Sequence, residues 1–327
     1  MSAEKAERRK RLENGRYAAQ RVLEQVNGVI LGKKVQIREI LLAFLANGHV
    51  LLEDIPGVGK TTMALAFSRA MSLDYHRIQF TPDVLPSDLT GFSIYRREEE
   101  RFVYQPGSVF CNLLLADEIN RTSPKTQSAL LEVMEEGKVT AEGVTRDVPS
   151  PFLVIATQNP FGSAGTQPLP GAQLDRFLVN LSLGYPDYDS ELQMAMEAGG
   201  RKRLEELQAV MDAGMLRACQ EEAAGVHIEP QVYDYIVRLV RATREQPWLE
   251  QGGSPRATIA LVRLSRASAW LEGHSFVTPV DVQEQFPYVL RHRMVLNRAA
   301  RQEGIGKEQV TERILTEVVK PPLGKHR

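Results

Sequence analysis

Apolar positions fall into two regimes along this chain. Up to about residue 183, apolar runs of strand length alternate with stretches of helical spacing; beyond residue 187 only the helical spacing continues. Residues 35–47 set Ile37, Ile40, Leu41, Phe44 and Leu45 on one helical face, and Asn47-Gly48 ends that helix. HVLLED (49–54) reads as a strand, KTTMALAFSRAM (60–71) as a helix and RIQFT (77–81) as the next strand. CNLLLADE (111–118), PFLVIATQN (151–159) and FLVNLSL (177–183) complete five strands. SPKTQSALLEVMEEG (123–137) reads as a helix, with Ser123 as N-cap, Pro124 in the first position and Gly137 as stop. AQLDRF is a short helix. Two alternating runs flanking RREEER predict a hairpin over 91–107, and a second hairpin falls near 138–149.

Apolar strands separated by helices predict a mostly parallel sheet covered on both faces. After GYPD (184–187) come helices such as 232–245 and 254–273, the latter capped by Ser254 with Pro255 in its first turn. The expected organisation is an N-terminal helical segment (1–28), an α/β core (29–186) and a helical lid (187–327), with Tyr185-Pro186 as hinge.

Composition narrows the class. A chain of 327 residues with 43% hydrophobic residues buries a sizeable core. Forty basic side chains against forty-one acidic ones, net −1, give no global attraction to nucleic acid or an anionic membrane. No apolar run approaches the roughly 18 residues that span a bilayer. The charged N-terminus MSAEKAERRKRLENGRY lacks an apolar signal segment, so a cytoplasmic location is expected. Cys111 and Cys219 have no metal-ligand spacing and read as buried free thiols.

The chemistry sits at the strand ends. Gly57-Val58-Gly59-Lys60-Thr61 lies between a strand and a helix, the context of a phosphate-binding loop. Backbone N–H groups around Gly57 and Gly59, with the helix N-terminus, make an anion cradle. Lys60 adds positive charge, and the Thr61 hydroxyl is placed to ligate Mg²⁺. The usual pattern has a glycine where this chain has Asp54. An ionised carboxylate facing phosphates would be repelled, so Asp54 is expected to point away from them. Asp117, ending an apolar strand, would hold Mg²⁺, and Glu118 beside it would polarise water.

With these residues the sequence resembles the AAA+ ATPases and, within them, the MoxR family. Seven stretches match in order: EDIPGVGKT, IQFTPDVLPSDLTG, NLLLADEINR, PKTQSALLEVMEE, FLVIATQNP, PLPGAQLDRF and SPRA. The resemblance implies an ATP-hydrolysing ring, most commonly a hexamer, that uses ATP and Mg²⁺ to remodel or mature client proteins with a von Willebrand factor A domain partner. It implies a nucleotide site of Pro56, Gly57, Val58, Gly59, Lys60, Thr61 and Thr62, with Ile30 and Leu31 beside the adenine. Asn159 matches sensor 1, which contacts the γ-phosphate or orients water. Arg176 matches the arginine finger of a neighbouring subunit, and Arg256 matches sensor 2, expected to act on its own subunit's nucleotide. Gln79 is a candidate restraint on Glu118. The family pattern also shows the glycine at the Asp54 position to be dispensable. One departure is the loop FGSAGTQPLPGAQ (161–173), with Gly171 where relatives often carry Glu.

Two other readings stay open on sequence. A DNA-dependent motor shares both hairpins, but the net charge and the acidic tip Glu98-Glu99-Glu100 oppose it. A magnesium-chelatase-like motor subunit shares the fold.

Overall fold

The computed structural model describes residues 3–55, 57–159, 169–196 and 201–322. A long helix α1 (Ala3–Val29) leads to α2 (Lys34–Leu45), β1 (Val50–Glu53), α3 (Lys60–Ala70), β2 (Tyr75–Gln79) and the short α4 (Pro86–Thr90). The hairpin β3 (Phe92–Arg96) and β4 (Arg101–Gln105) precedes β5 (Leu113–Asp117) and α5 (Pro124–Glu136). A second hairpin, β6 (Lys138–Ala141) with β7 (Val144–Asp147), leads to β8 (Leu153–Gln158), α6 (Gly171–Leu174) and β9 (Val179–Leu181).

The sheet has five strands in the order β2-β5-β8-β1-β9, all parallel. Its inner strands β5, β8 and β1 are mostly apolar because both faces are covered, whereas the outer β2 is largely polar and partly exposed. Leu113 and Leu115 point into one interior while Leu114 and Ala116 point into the other. The first interior is closed by α1, α2 and α3, the second by α4 and α5. α5 has the ends its sequence encodes: Ser123 accepts from the Thr126 amide, and Gly137 turns left-handed at φ 64°. The hairpins cross-brace each other. Ser93 donates to Glu142, and Arg146 lies 3.7 Å over the Tyr104 ring.

The remaining chain comprises α7 (Tyr188–Met196), α8 (Arg201–Glu206), α9 (Ala213–Ala224), α10 (Pro230–Glu245), β10 (Leu249–Gln251), α11 (Pro255–Glu272), α12 (Pro279–Leu290), β11 (Val295–Leu296), α13 (Arg298–Gln302) and α14 (Lys307–Glu317). This part is helical as expected, with one departure. β10 pairs antiparallel with β11, a ribbon too short to leave an alternating pattern in the sequence. These helices share the first interior: α9 packs on α1, α11 on α2, and α12 on β9. Both cysteines are buried and free. No described helix is long and apolar enough to cross a membrane.

Glu39 of α2 is buried at this junction, 3.0 Å from Arg38, and its second oxygen has no partner among the described groups. Glu272 of α11, and Glu284 and Tyr288 of α12, are the other ionisable groups around it. Burial pushes its carboxyl up to about 7, against the pull of Arg38. The unfolded chain gives up this proton near pH 4.5 and the folded chain only near 7. Stability from this group is therefore full below pH 4.5 and falls as pH rises to 7, by on the order of 3 kcal/mol. Glu39→Gln should flatten that part of the stability–pH curve measured by denaturant unfolding. An unaltered slope would assign it to other groups.

Candidate active site

Parallel strands gather their C-terminal ends along one edge, and β1, β5 and β8 each deliver part of a cluster there. Gly57, Gly59, Lys60, Thr61, Thr62, Arg77, Gln79, Asp117, Glu118 and Asn159 line one cavity. Gly57 and Gly59 sit at φ 88° and 93°, a region that favours glycine, and an added Cβ at either would meet no atom within 4 Å. The loop is thus held open as a cradle of backbone N–H groups at the start of α3. Lys60 Nζ donates to the Asp54 carbonyl at 2.8 Å and reaches Asn159 Oδ1 at 3.5 Å. Burial lowers the Lys60 pKa, while Asp54, Asp117 and Glu118 oppose that shift.

Asp54 turns its carboxylate away from the cavity, as expected. It accepts from Ser182 Oγ at 2.9 Å and from the amides of Leu183 and Gly184. Asp54 therefore pins the end of β1 to the segment leaving β9.

Glu118 follows β5 in the left-handed region at φ 58°, a conformation that costs about 1–3 kcal/mol for a non-glycine residue. Its amide donates to Thr157 Oγ1 at 2.9 Å, and that hydroxyl donates to Asp117 Oδ1 at 2.7 Å. Asn159 Nδ2 donates to Glu118 Oε1 at 2.9 Å, and Arg121 Nη1 to Oε2 at 2.8 Å. Burial works against ionisation of Glu118, but these two donors outweigh it and hold the carboxyl below its ordinary range. Gln79 does not restrain Glu118; it accepts from Arg77 instead. Both β2 and β8 flank β5, and it is Asn159, just past β8, that bonds the Glu118 carboxylate.

Arg176 and Arg256 lie at the other end of the sheet. The Leu178 amide donates to the carbonyl of His49, which precedes β1, so the residues around 176 sit at the strands' N-terminal edge. β1 alone separates that edge from the loop by roughly 13 Å, at about 3.3 Å per residue. Glu135, at the end of α5, takes both arginines: Arg176 Nη1 is 3.0 Å from Oε2 and Arg256 Nη2 is 2.5 Å from Oε1. Neighbouring bonds fix this edge. The Ser254 hydroxyl, cap of α11, donates to Asp175 at 2.7 Å, and buried Arg293 donates to the same carboxylate at 2.6 Å. His49, held neutral by burial with its pKa down to about 4, bonds the Met134 carbonyl beside Glu135. Arg256, expected beside its own subunit's nucleotide, does not line the loop cavity in this structure and pairs with Glu135 instead. The lid packs on the α2 side and turns the first turn of α11 toward Glu135, away from Lys60.

Ile30 and Leu31 occupy the turn after α1 and do not line the phosphate cavity; nearby Lys33 Nζ donates to the Tyr185 carbonyl at 2.6 Å. Val58 packs on the apolar interior. Pro56 and residues 160–168 lie outside the described residues.

The donor set suits a nucleotide accompanied by Mg²⁺. Thr61 offers a hydroxyl and Asp117 a carboxylate, and no cluster of three or more acidic, His or Cys ligands exists among the described residues. A cation there would complete its shell with water and phosphate oxygens, as Mg²⁺ does.

Comparisons with known proteins agree with this geometry. Residues 49–179 match the model of the ATPase family associated with various cellular activities (AAA), and residues 241–314 match the AAA lid domain. A crystal structure from Cytophaga hutchinsonii, described as a candidate ATPase, superposes with a TM-score of 0.91 at 37% identity, covering 98% of this chain and 100% of that one. An MCM homolog from Methanopyrus kandleri, at 18% identity and a TM-score of 0.60, shares the fold. Chaperone MoxR1 of Mycobacterium tuberculosis is 41% identical over 316 residues, 94% of this chain and 83% of that protein. The chain belongs to the MoxR family of AAA+ ATPases. YeaC, an uncharacterized Bacillus subtilis protein, is 46% identical over 92% of this chain and 94% of its own length. Protein MoxR of Methylorubrum extorquens is 33% identical over 87% and 90% of the two chains. The MoxR-family chain is thus an ATPase with a nucleotide-binding α/β core and an AAA lid.

Sequence reasoning missed Thr157, Arg77, Arg121 and Glu135. Thr157 left one signal, a hydroxyl inside an otherwise apolar strand. The others read as surface charges until the fold places them.

Proposed function

We propose that this MoxR-family ATPase assembles head to tail into a ring, a hexamer in its closed form, with ATP and Mg²⁺ at each seam between copies. One observation carries the reading: the phosphate loop and the arginine pair of one chain occupy opposite ends of its sheet. Arg176 and Arg256 can meet a nucleotide only on a neighbouring copy. Within the site, Lys60 and the loop amides bind phosphates, Thr61 and Asp117 hold the metal, and Glu118 takes a proton from the attacking water while Asn159 orients it. The bound metal would shield phosphate charge.

The work is done on a client protein in the cytoplasm. The name of the relative Chaperone MoxR1 supports a chaperone-like role. So does the exposed aromatic pair on the first hairpin, Tyr95 and Phe102, with ring centroids 5.3 Å apart. A von Willebrand factor A domain protein is the partner that the family resemblance suggests.

The seam is tested by nucleotide binding to dilute, unassembled protein. Arg256→Ala should leave that affinity unchanged, while turnover of the assembled protein falls. A charge-assisted contact to phosphate is worth about tenfold or more in affinity. A loss of that size in the monomer would return Arg256 to its own subunit's site.

A further inference from the structure

The cavity at the strand ends already contains a cation on the carboxylate assigned to the metal. Arg77 Nη2 lies 2.7 Å from Asp117 Oδ2, and it also donates to Gln79 Oε1 at 3.1 Å. Thr157 occupies the other Asp117 oxygen, so every strong bond Asp117 makes toward the cavity goes to Arg77. Arg77 and Gln79 are two residues apart on β2 and face the same way, into the cavity with Thr61, Glu118 and Asn159. β2 is an outer strand of the sheet. The Arg77 side chain is 46% accessible while that of Asp117 is 11% accessible. The guanidinium can swing out into solvent; the carboxylate cannot follow it.

We propose that Arg77 is an exchangeable counter-ion: it neutralises Asp117 in the empty site and yields that oxygen when Mg²⁺ enters with the nucleotide. The inference rests on the reading of Asp117 as the metal's carboxylate. Lys60 and Arg77 balance Asp117 and Glu118, so the empty cavity does not repel an incoming polyphosphate. Without Arg77, Asp117 would face the phosphates uncompensated until a metal arrived. Once Mg²⁺ is there, it would no longer compete with a guanidinium. Both effects widen the gap between metal-free and metal-assisted nucleotide binding. Arg77 is thus a positioning residue for the metal carboxylate, and its signature is in binding equilibria.

The test titrates a fluorescent ADP analogue into wild type, Arg77→Met, Arg77→Lys and Asp117→Asn, each with excess Mg²⁺ and with chelator. The readout is the ratio of Kd in chelator to Kd in Mg²⁺. Arg77→Met should raise that ratio about tenfold over wild type, the worth of one charge-assisted bond. Arg77→Lys, which keeps the charge, should stay near wild type. Asp117→Asn should collapse the ratio toward one. An unchanged or smaller ratio in Arg77→Met, with Asp117→Asn collapsed, overturns the counter-ion role alone. A wild-type ratio in Asp117→Asn removes Asp117 from the metal site, and the functional reading falls with it.

Discussion

Glu118→Gln should abolish steady-state ATP hydrolysis, lowering kcat by about 10²–10⁴-fold, the usual worth of a positioned general base. ATP affinity should stay within about twofold, because Glu118 contributes no positive charge or backbone donor to the phosphates. The geometry explains the size of the effect. Asn159 and Arg121 hold the two carboxylate oxygens at 2.9 and 2.8 Å, and together they keep the group ionised against its partial burial. A depressed carboxyl stays a base in more acid solution than a free one, so the acid limb of kcat/KM should lie below the ordinary carboxylate range. Glutamine has the same shape but a single acceptor oxygen, so it keeps one of the Asn159 and Arg121 contacts, and it cannot accept the proton. Turnover measured beside nucleotide affinity decides. Retained turnover in Glu118→Gln would move the base elsewhere.

Arg176→Ala should cost about 10³–10⁵ in turnover of the assembled protein, the range for arginines supplied across a subunit boundary. The decisive measurement mixes two inactive variants. In a head-to-tail ring, the intact loop of an Arg176→Ala copy can face the intact arginines of a Glu118→Gln copy. Random mixing in equal amounts would complete about one seam in four, so activity should return to that order. If Arg176 served its own subunit, no mixture would recover. Arg176 has little structural work to lose, since its bonds are to the exposed Glu135 and the Leu131 carbonyl.

The elements and most residues lining the cavity at the strand ends were legible in the sequence, for a physical reason. The loop, the ends of β5 and β8 and the helix caps are local patterns, each written within a few consecutive residues. Ser123 and Gly137 close α5 as their types require, and Asp54 turns from the cavity as its charge demands. Contacts that depend on how distant segments pack were not legible. Arg256 was expected beside the phosphates because SPRA resembles the sensor 2 segment at the start of a lid helix. Its true neighbour, Glu135, lies 121 residues earlier in the chain. Arg77 and Gln79 occupy adjacent same-face positions on one strand, and nothing in that strand reveals which of them meets Asp117. The β10–β11 ribbon escaped because two or three residues carry no period.

Asp54 gives the molecule an unusual economy of transmission. Its carbonyl receives the Lys60 ammonium, while its carboxylate grips residues 182–184, from which the chain departs toward α7. A shift of Lys60 on seating a polyphosphate would bear on that exit through the bonds of this one residue.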